Sequence, residues 1–399
     1  MSGSSGSNWP ASDIALDAGR RFLSSCVERK RVVVACHSDA DGLTSGLLAV
    51  RGLERVRVPH VTIVPTGKAE HVHSESMREK ILHYAPDALI VTDMGSRGEH
   101  IFEGMPTLVI DHHQPQGTPP GAVMVSAYGC EPIVSSSLLV YYLFSPLVPM
   151  DDLKWLALLG AVGDLGTALP FPEWTPLLKE YGGRHVTEAV ALLNAARRSG
   201  KHEVLAALNA LMIANSPADI ALKKVPGVDV LQACRDEVQQ ELSRCLKTAP
   251  KFAKNVAMLR FSSPAQIHPL IATRWSRTLR KFIVLAANDN YIPGRVNFSL
   301  RTMSGVNLVN FLRELMPQPL EGEYANGHAQ ATGGSLPPSI FEEMLERIGF
   351  QNASAAGLAV ASASKEKTQQ PAAKPRKAAN AANAKRSGAD GTQSGTKTH

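Results

Sequence analysis

Four short segments carry carboxylates and imidazoles in an arrangement suited to divalent-cation chemistry. Ala35-Cys36-His37-Ser38-Asp39-Ala40-Asp41-Gly42 follows the apolar run RVVV, and Thr92-Asp93-Met94-Gly95 follows ALIV. Asp111-His112-His113 follows TLVI, and Gly163-Asp164 lies within WLALLGAVGDLG. On a common edge, Asp39, Asp41, Asp93 and Asp164 would set four negative charges against one another, each raising the pKa of the others. Two divalent cations cancel that charge. Mixed imidazole and carboxylate donors suit Mn²⁺ or a similar borderline ion better than Ca²⁺ or a thiolate zinc site. An Asp at a strand-to-helix turn is commonly a helix cap, but capping has no use for His37 or His112.

Rival readings of single segments fail on their own terms. A calcium loop of the EF-hand kind starting at His37 needs a Glu at its twelfth position, which is Leu48, and a helix where a strand precedes. A haloacid-dehalogenase-like phosphatase needs Asp-x-Asp-x-Thr, and Leu43 stands in place of the Thr. That reading also leaves His37 and Asp111-His112-His113 idle. Thr66-Gly67-Lys68 lacks the upstream Gly of a phosphate loop and reads as a turn. His71, His73 and His83 read as a solvated helix face.

These groups must be carried by an alternation of strands and helices. RVVVAC, VTIVP, ALIVTD and TLVID are short apolar, β-branched runs separated by helical stretches such as LTSGLLAVRGLERV and SESMREKILHY. That alternation predicts an α/β fold with a doubly wound, mainly parallel sheet, whose sites lie at the carboxyl ends of its strands. From Trp174 to Ala249 the pattern is helical, with Ser216-Pro217 as a helix start. A second α/β unit comes next: NVAMLRFSS, a helix opened by Ser263-Pro264, KFIVLAAND, RVNFSLR, NLVNFLRELM, a Gly-rich loop and SIFEEMLERI. The expected organisation is a mobile terminus over 1–12, a catalytic domain over 13–172, a helical connector over 173–250, a smaller substrate domain over 251–350 and a basic tail over 351–399. The cleft falls between the two lobes.

Charge tracks this division. The chain has 399 residues and formal net charge +6. Residues 1–170 carry 13 basic and 18 acidic side chains, residues 171–350 carry 21 and 16, and residues 351–399 carry 8 and 2. The whole excess therefore sits in the tail, whose Ala/Ser/Lys composition offers too little apolar surface to offset ordering and predicts disorder. Arg244 to Arg301 contains eleven basic residues against the single acid Asp289, which reads as a cleft wall attracting a polyanion. Trp275 within it reads as a packing residue. Five scattered cysteines with no CxxC spacing read as reduced thiols in a cytoplasmic protein. The opening MSGSSGSNWP has no apolar signal segment. Pro132 to Met150 is uncharged, but four Ser and three Pro make it a buried helix and loop rather than a membrane span.

The order strand–HxDxDG, strand–D, strand–DHH, helix–D resembles the DHH phosphoesterase superfamily, which includes RecJ-type exonucleases, nanoRNases and cyclic-dinucleotide phosphodiesterases. RVNFSLR and NGHAQATGGSL resemble that superfamily's DHHA1 substrate domain. The resemblance spans roughly residues 30–350. It implies one ion on His37, Asp39 and Asp93 and a second on Asp41, Asp93, His112 and Asp164, with Asp93 shared. His113 would face the substrate phosphate, and Asp111 would orient the His pair. Arg295, Arg301, His328, Gly333 and Gly334 would hold the substrate. The loop departs from the family's usual Gly-Gly-His by reading Asn326-Gly327-His328.

The implied activity is two-metal, Mn²⁺-dependent hydrolysis of single-stranded DNA, RNA or short oligonucleotides from an end, with Mg²⁺ or Co²⁺ as substitutes. The alternatives are a small-substrate phosphoesterase acting on pAp or cyclic dinucleotides, and a nucleic-acid-binding partner with a decayed site. Intact donors at every ligand position speak against decay. Protein partners are not legible in the sequence.

Overall fold

The computed structural model describes residues 9–316 and 323–350. The tail over 351–399 and residues 1–8 lie outside the described residues, as do the side chains of Asn326 and His328. Trp9 to Ser12, expected within a mobile terminus, are packed. The Trp9 ring lies 5.2 Å from that of Tyr142, its Nε1–H donates to Pro132 O at 3.1 Å, and Ala11 is fully buried. Ser12 then caps α1 (Asp13–Ser25). One aromatic side chain supplies enough apolar surface to hold the segment down.

The first lobe is a five-stranded parallel sheet of β1 (Arg31–Cys36), β2 (His60–Pro65), β3 (Ala88–Thr92), β4 (Thr107–Asp111) and β5 (Val123–Ser126). Its order is β2-β1-β3-β4-β5. Both faces are covered, which explains strands that read as continuous apolar runs. Val32, Val34 and Cys36 enter one core with α2 (Ala40–Arg55), α4 (Ser136–Phe144) and α5 (Lys154–Leu165). Val33 and Ala35 enter a second core with α3 (Glu75–His83). The strand order reverses between β1 and β3, and at such a point loops diverge to opposite faces and leave a crevice. His37 and Asp93 leave the sheet there.

Within Pro132 to Met150, α4 is buried against α2 and α5, whereas the loop expected to be buried is partly open, with Ile133, Pro146 and Pro149 exposed. No helix among the described residues is long and apolar enough to cross a membrane. All five cysteines are free and buried. Helices α6 (Thr175–Glu180), α7 (Gly183–Arg198), α8 (Val204–Ile213), α9 (Pro217–Ala221) and α10 (Val228–Cys245) occupy the stretch between the sheets.

The second sheet has order β10-β11-β9-β8-β7-β6. Its strands are β6 (Lys251–Ala253), β7 (Val256–Phe261), β8 (Ile283–Asn288), β9 (Val296–Thr302), β10 (Glu323–His328) and β11 (Ala331–Leu336). Only β7 and β8 pair in parallel. Two local expectations change here. The Gly-rich segment is a hairpin of β10 and β11, with Gly333 packed so closely on the β9 backbone at Phe298 that a Cβ would collide. The helix expected at Ser263-Pro264 instead begins at His268, as α11 (His268–Thr278). The Ser263 N–H is taken by Asn288 Oδ1 at 2.9 Å, tying that segment to β8 as a loop. Trp275 packs at the edge of this lobe's core.

Candidate metal centre

His37 follows β1 directly, and the turn after it opens α2. Asp39 caps that helix: its Oδ1 accepts the Gly42 N–H at 3.1 Å, leaving Oδ2 3.0 Å from His37 Nδ1. Capping and a role in the cluster therefore coexist in one carboxylate. Asp41, in the first helical turn, is fully buried, and its oxygens accept the Ser136 and Ser137 N–H groups at 2.8 and 2.9 Å. These donors at the start of α4 have no partner within the helix itself, which makes the helix start a natural anion site. Two glycines permit the crowding. A Cβ on Gly42 would strike the His37 backbone, and one on Gly160 of α5 would strike Asp41 and Ser137.

Asp93 sits one residue past β3 with φ of +64°, a left-handed conformation uncommon outside glycine. Its Oδ1 accepts the Ser136 hydroxyl at 2.9 Å and lies 3.4 Å from His112 Nε2, while Oδ2 lies 3.6 Å from His37 Nδ1. His112 Nε2 also lies 3.1 Å from Asp164 Oδ2. Fully buried Asp111 holds no part of this cluster. Its Oδ1 accepts the His113 N–H at 2.6 Å and lies 2.9 Å from His113 Nδ1, and its Oδ2 accepts the Gly95 N–H at 2.5 Å. Asp111 thus orients His113, and braces the Asp93 loop rather than His112.

The donor atoms of His37, Asp39 and Asp93 lie within 4.8 Å of one another, as do those of Asp41, Asp93, His112 and Asp164. Asp93 belongs to both groups and to a third with His112 and His113. Like charges and burial pull the titrations apart. Burial, then Asp93 and Asp164, hold Asp41 well above the usual carboxylate range, and burial likewise raises Asp164. Burial opposes ionisation of Asp93, yet His112 and His37 beside it bring it down to about 2. Burial pulls the two imidazoles down, but the facing carboxylates outweigh it, raising His37 to about 10 and His112 to about 12.

The residues fit divalent cations. His37 Nδ1 and His112 Nε2 are buried without a hydrogen-bond partner, though each points at two carboxylates within ion-pair reach. Cations between them would satisfy both nitrogens and relieve the crowded carboxylates.

The cluster opens into a cleft of about 660 Å³ whose lining includes His37, Asp93, His113, Arg97, Arg197, Tyr291 and Arg295. The sequence profile of the DHH family, N-terminal domain, matches residues 31–161, the span that carries every carboxylate and imidazole of the cluster except Asp164. Over residues 31–161 the chain is similar to the DHH family.

Asp164 lies just beyond the matched span. The single-stranded-DNA-specific exonuclease RecJ of Thermus thermophilus is 25% identical over 80% of this chain. The chain spans about half that relative's length, 51%. A crystal structure of exonuclease RecJ bound to manganese superposes with TM-score 0.59 and 20% identity over 84% of this chain and 93% of that one. RecJ from Thermus thermophilus with Mn²⁺ gives TM-score 0.61 and 19% identity over 84% and 54%. These likenesses extend the shared fold past the DHH domain through both sheets.

Around the DHH domain the other expected residues divide. Arg295 lines the cleft, its Nε–H donating to Ser335 Oγ at 2.9 Å. Arg301 does not line it. Its Nη1 donates to Ser299 Oγ at 2.8 Å and Leu300 O at 2.9 Å. Gly333 and Gly334 lie on β11 opposite β9, and the His328 side chain is outside the described residues. The basic stretch is not a cleft wall. Of its eleven cations Arg295 lines the cleft, while Arg260 pairs with Asp289 and Glu342 and Arg244 with Glu241. Sequence spacing could not show these partners, because Glu241 and Glu342 lie outside the stretch.

Sequence reasoning missed Arg197 and misread His71. Arg197, at the end of α7, places Nη1 3.2 Å from His37 Nε2, with its Nε buried and without a partner. An Arg-Arg pair ending a connector helix carries no signal of its own. His71 and His73 precede α3 in a half-buried loop, stacked 5.3 Å apart, rather than forming a solvated helix face. His71 Nε2 lies 2.7 Å from Met94 O, so it braces the Asp93 loop. Burial brings His71 down to about 4, leaving it neutral to donate that bond.

Proposed function

We propose that this chain is a divalent-cation-dependent phosphodiesterase that hydrolyses single-stranded nucleic acid or short oligonucleotides from an end, with Mn²⁺ as its preferred ion. The observation that carries the reading is the sharing of Asp93 between the His37–Asp39 group and the Asp41–His112–Asp164 group. In this reading the first group holds one ion and the second another. Such ions, when bound, supply an activated water and neutralise charge on the phosphoryl oxygens.

The chain's own residues do the rest. Ser136 and the start of α4 fix Asp93 and Asp41 against their mutual repulsion. Asp111 aims His113 at the cleft, where the imidazole can donate to a phosphate oxygen. Arg197 and Arg295 bring positive charge from outside the DHH domain to the same space. The RecJ likeness supports a nucleic-acid substrate. We read the second sheet as the lobe that holds it, of the DHHA1 kind.

The test is a Mn²⁺ digestion ladder comparing dinucleotides with longer 5′- and 3′-labelled single-stranded DNA and RNA. Stepwise loss of residues from one end is expected. A protein inactive on every oligomer yet active on a mononucleotide or pAp would overturn the reading.

A further inference from the structure

Two residues that line the cleft each carry a buried acceptor oxygen without a partner, which a phosphate cannot satisfy. Asn297, on β9, is 5% exposed, and its Oδ1 has no hydrogen-bond partner. Gln266, in the loop before α11, is anchored by its N–H to Arg198 O at 2.7 Å, and its Oε1 is likewise buried without a partner. Both line the same cleft as His37 and Asp93, from the side of the second sheet. Leaving such groups unpaired is costly, so an unmet pair within a binding cleft marks a place where ligand atoms belong.

The position of Asn297 is built. Along β9 the side chains alternate: Val296, Phe298 and Leu300 enter the core, while Arg295, Asn297, Ser299 and Arg301 share the opposite face. Asn297 lies between Ser335 of β11 and Asn288 of β8. Asn288 spends its amide within the lobe, accepting the Ser263 N–H and donating to Ala265 O. Asn297 Oδ1 is not used in this way.

The neighbouring cations Arg197 and Arg295 suit a phosphate, which offers acceptors only. Two carbonyl oxygens require donors. On a nucleotide those are the amino and ring N–H groups of the base and the sugar hydroxyls, and a deoxyribose within a strand has no free hydroxyl. Asn and Gln are also the side chains whose amides match base edges. We propose that Asn297 and Gln266 read the base of the nucleotide held in the cleft, so that the substrate is recognised as a nucleotide and not merely as a phosphodiester. This rests on the phosphodiesterase reading.

The experiment compares the full chain with its Asn297→Ala and Gln266→Ala variants on a short DNA oligomer, its RNA counterpart and an abasic DNA oligomer of the same length. Kd is read by fluorescence anisotropy without added metal, and KM with Mn²⁺. The wild type should prefer the intact oligomer, and each variant should reduce the intact-to-abasic ratio about tenfold, the loss of one base contact. An undiminished ratio in both variants overturns the inference, as does a variant that instead loses discrimination between RNA and DNA. Should Asn297→Ala fail to fold, judged by its thermal transition, Gln266→Ala on its half-buried loop carries the same measurement. The anisotropy arm separates the two readings: intact-base preference without turnover would sink the phosphodiesterase assignment and leave this one standing.

Discussion

Arg197 Nη1 lies 3.2 Å from His37 Nε2, although 160 residues of chain separate them. The connector helix thereby sets a guanidinium at the edge of the His37–Asp39–Asp93 group, where a phosphate oxygen would arrive.

Arg197→Ala is expected to raise KM for oligonucleotides or lower kcat by about 10- to 100-fold, the range for a charge-assisted hydrogen bond. Mn²⁺ affinity should change little. Arg197→Lys should rescue only part of the loss, because a point charge cannot reproduce the guanidinium fork. Steady-state kinetics beside Mn²⁺ calorimetry check this, and wild-type kinetics in Arg197→Ala would refute it.

Asp93→Asn removes a charge common to both donor groups. Turnover should fall by at least about 100-fold, more than the loss of a supporting contact usually costs, and the Mn²⁺ stoichiometry seen by calorimetry should drop. Substrate binding in the anisotropy assay should persist. Unaltered turnover would show that the cluster is not the reacting site.

Asp111→Asn keeps the shape but presents an amide where two N–H groups donate. A kcat loss of about 10- to 100-fold is expected, with destabilisation of about 1–3 kcal/mol from the unpaired Gly95 or His113 N–H. Urea unfolding and kinetics measure the two effects separately.

Proton release should accompany metal binding. His37, raised to about 10, and His112, raised to about 12, are both protonated in the metal-free protein near neutral pH. A cation needs the neutral nitrogen, so binding expels about one proton per imidazole and strengthens as pH rises. Calorimetry in buffers of different ionisation enthalpy reads this directly, and buffer-independent heats would exclude it.

Gly42→Ala tests the close approach of α2 to His37. The added methyl meets the His37 backbone and its Cβ, which no change of rotamer moves away, so a stability loss of about 1–3 kcal/mol is expected. A lowered thermal midpoint together with weaker Mn²⁺ binding would show that the same contact positions His37.

The sequence by itself determined which chemistry is present and where along the chain it lies. The apolar runs specify strands buried on both faces, and a parallel sheet brings the residues just past its strands to one edge, so HxDxDG, D and DHH were legible as one constellation. Alternation of charge along a segment was a poorer guide. The eleven cations from Arg244 to Arg301 looked like one wall, yet Arg260 and Arg244 spend their charge on acids elsewhere in the fold.

Only the tertiary structure decided who meets whom. That Asp93 lies between two donor groups depends on the sheet order, which sets β3 beside both β1 and β4. That Asp41 is held by Ser136 and Ser137, His71 by Met94, and His37 approached by Arg197 depends on contacts between residues from 23 to 160 positions apart. Spacing encodes which face a residue takes on its own helix or strand, because that stems from local backbone geometry. It does not encode which distant helix end or loop packs there, because that is settled by the burial of whole cores around the site.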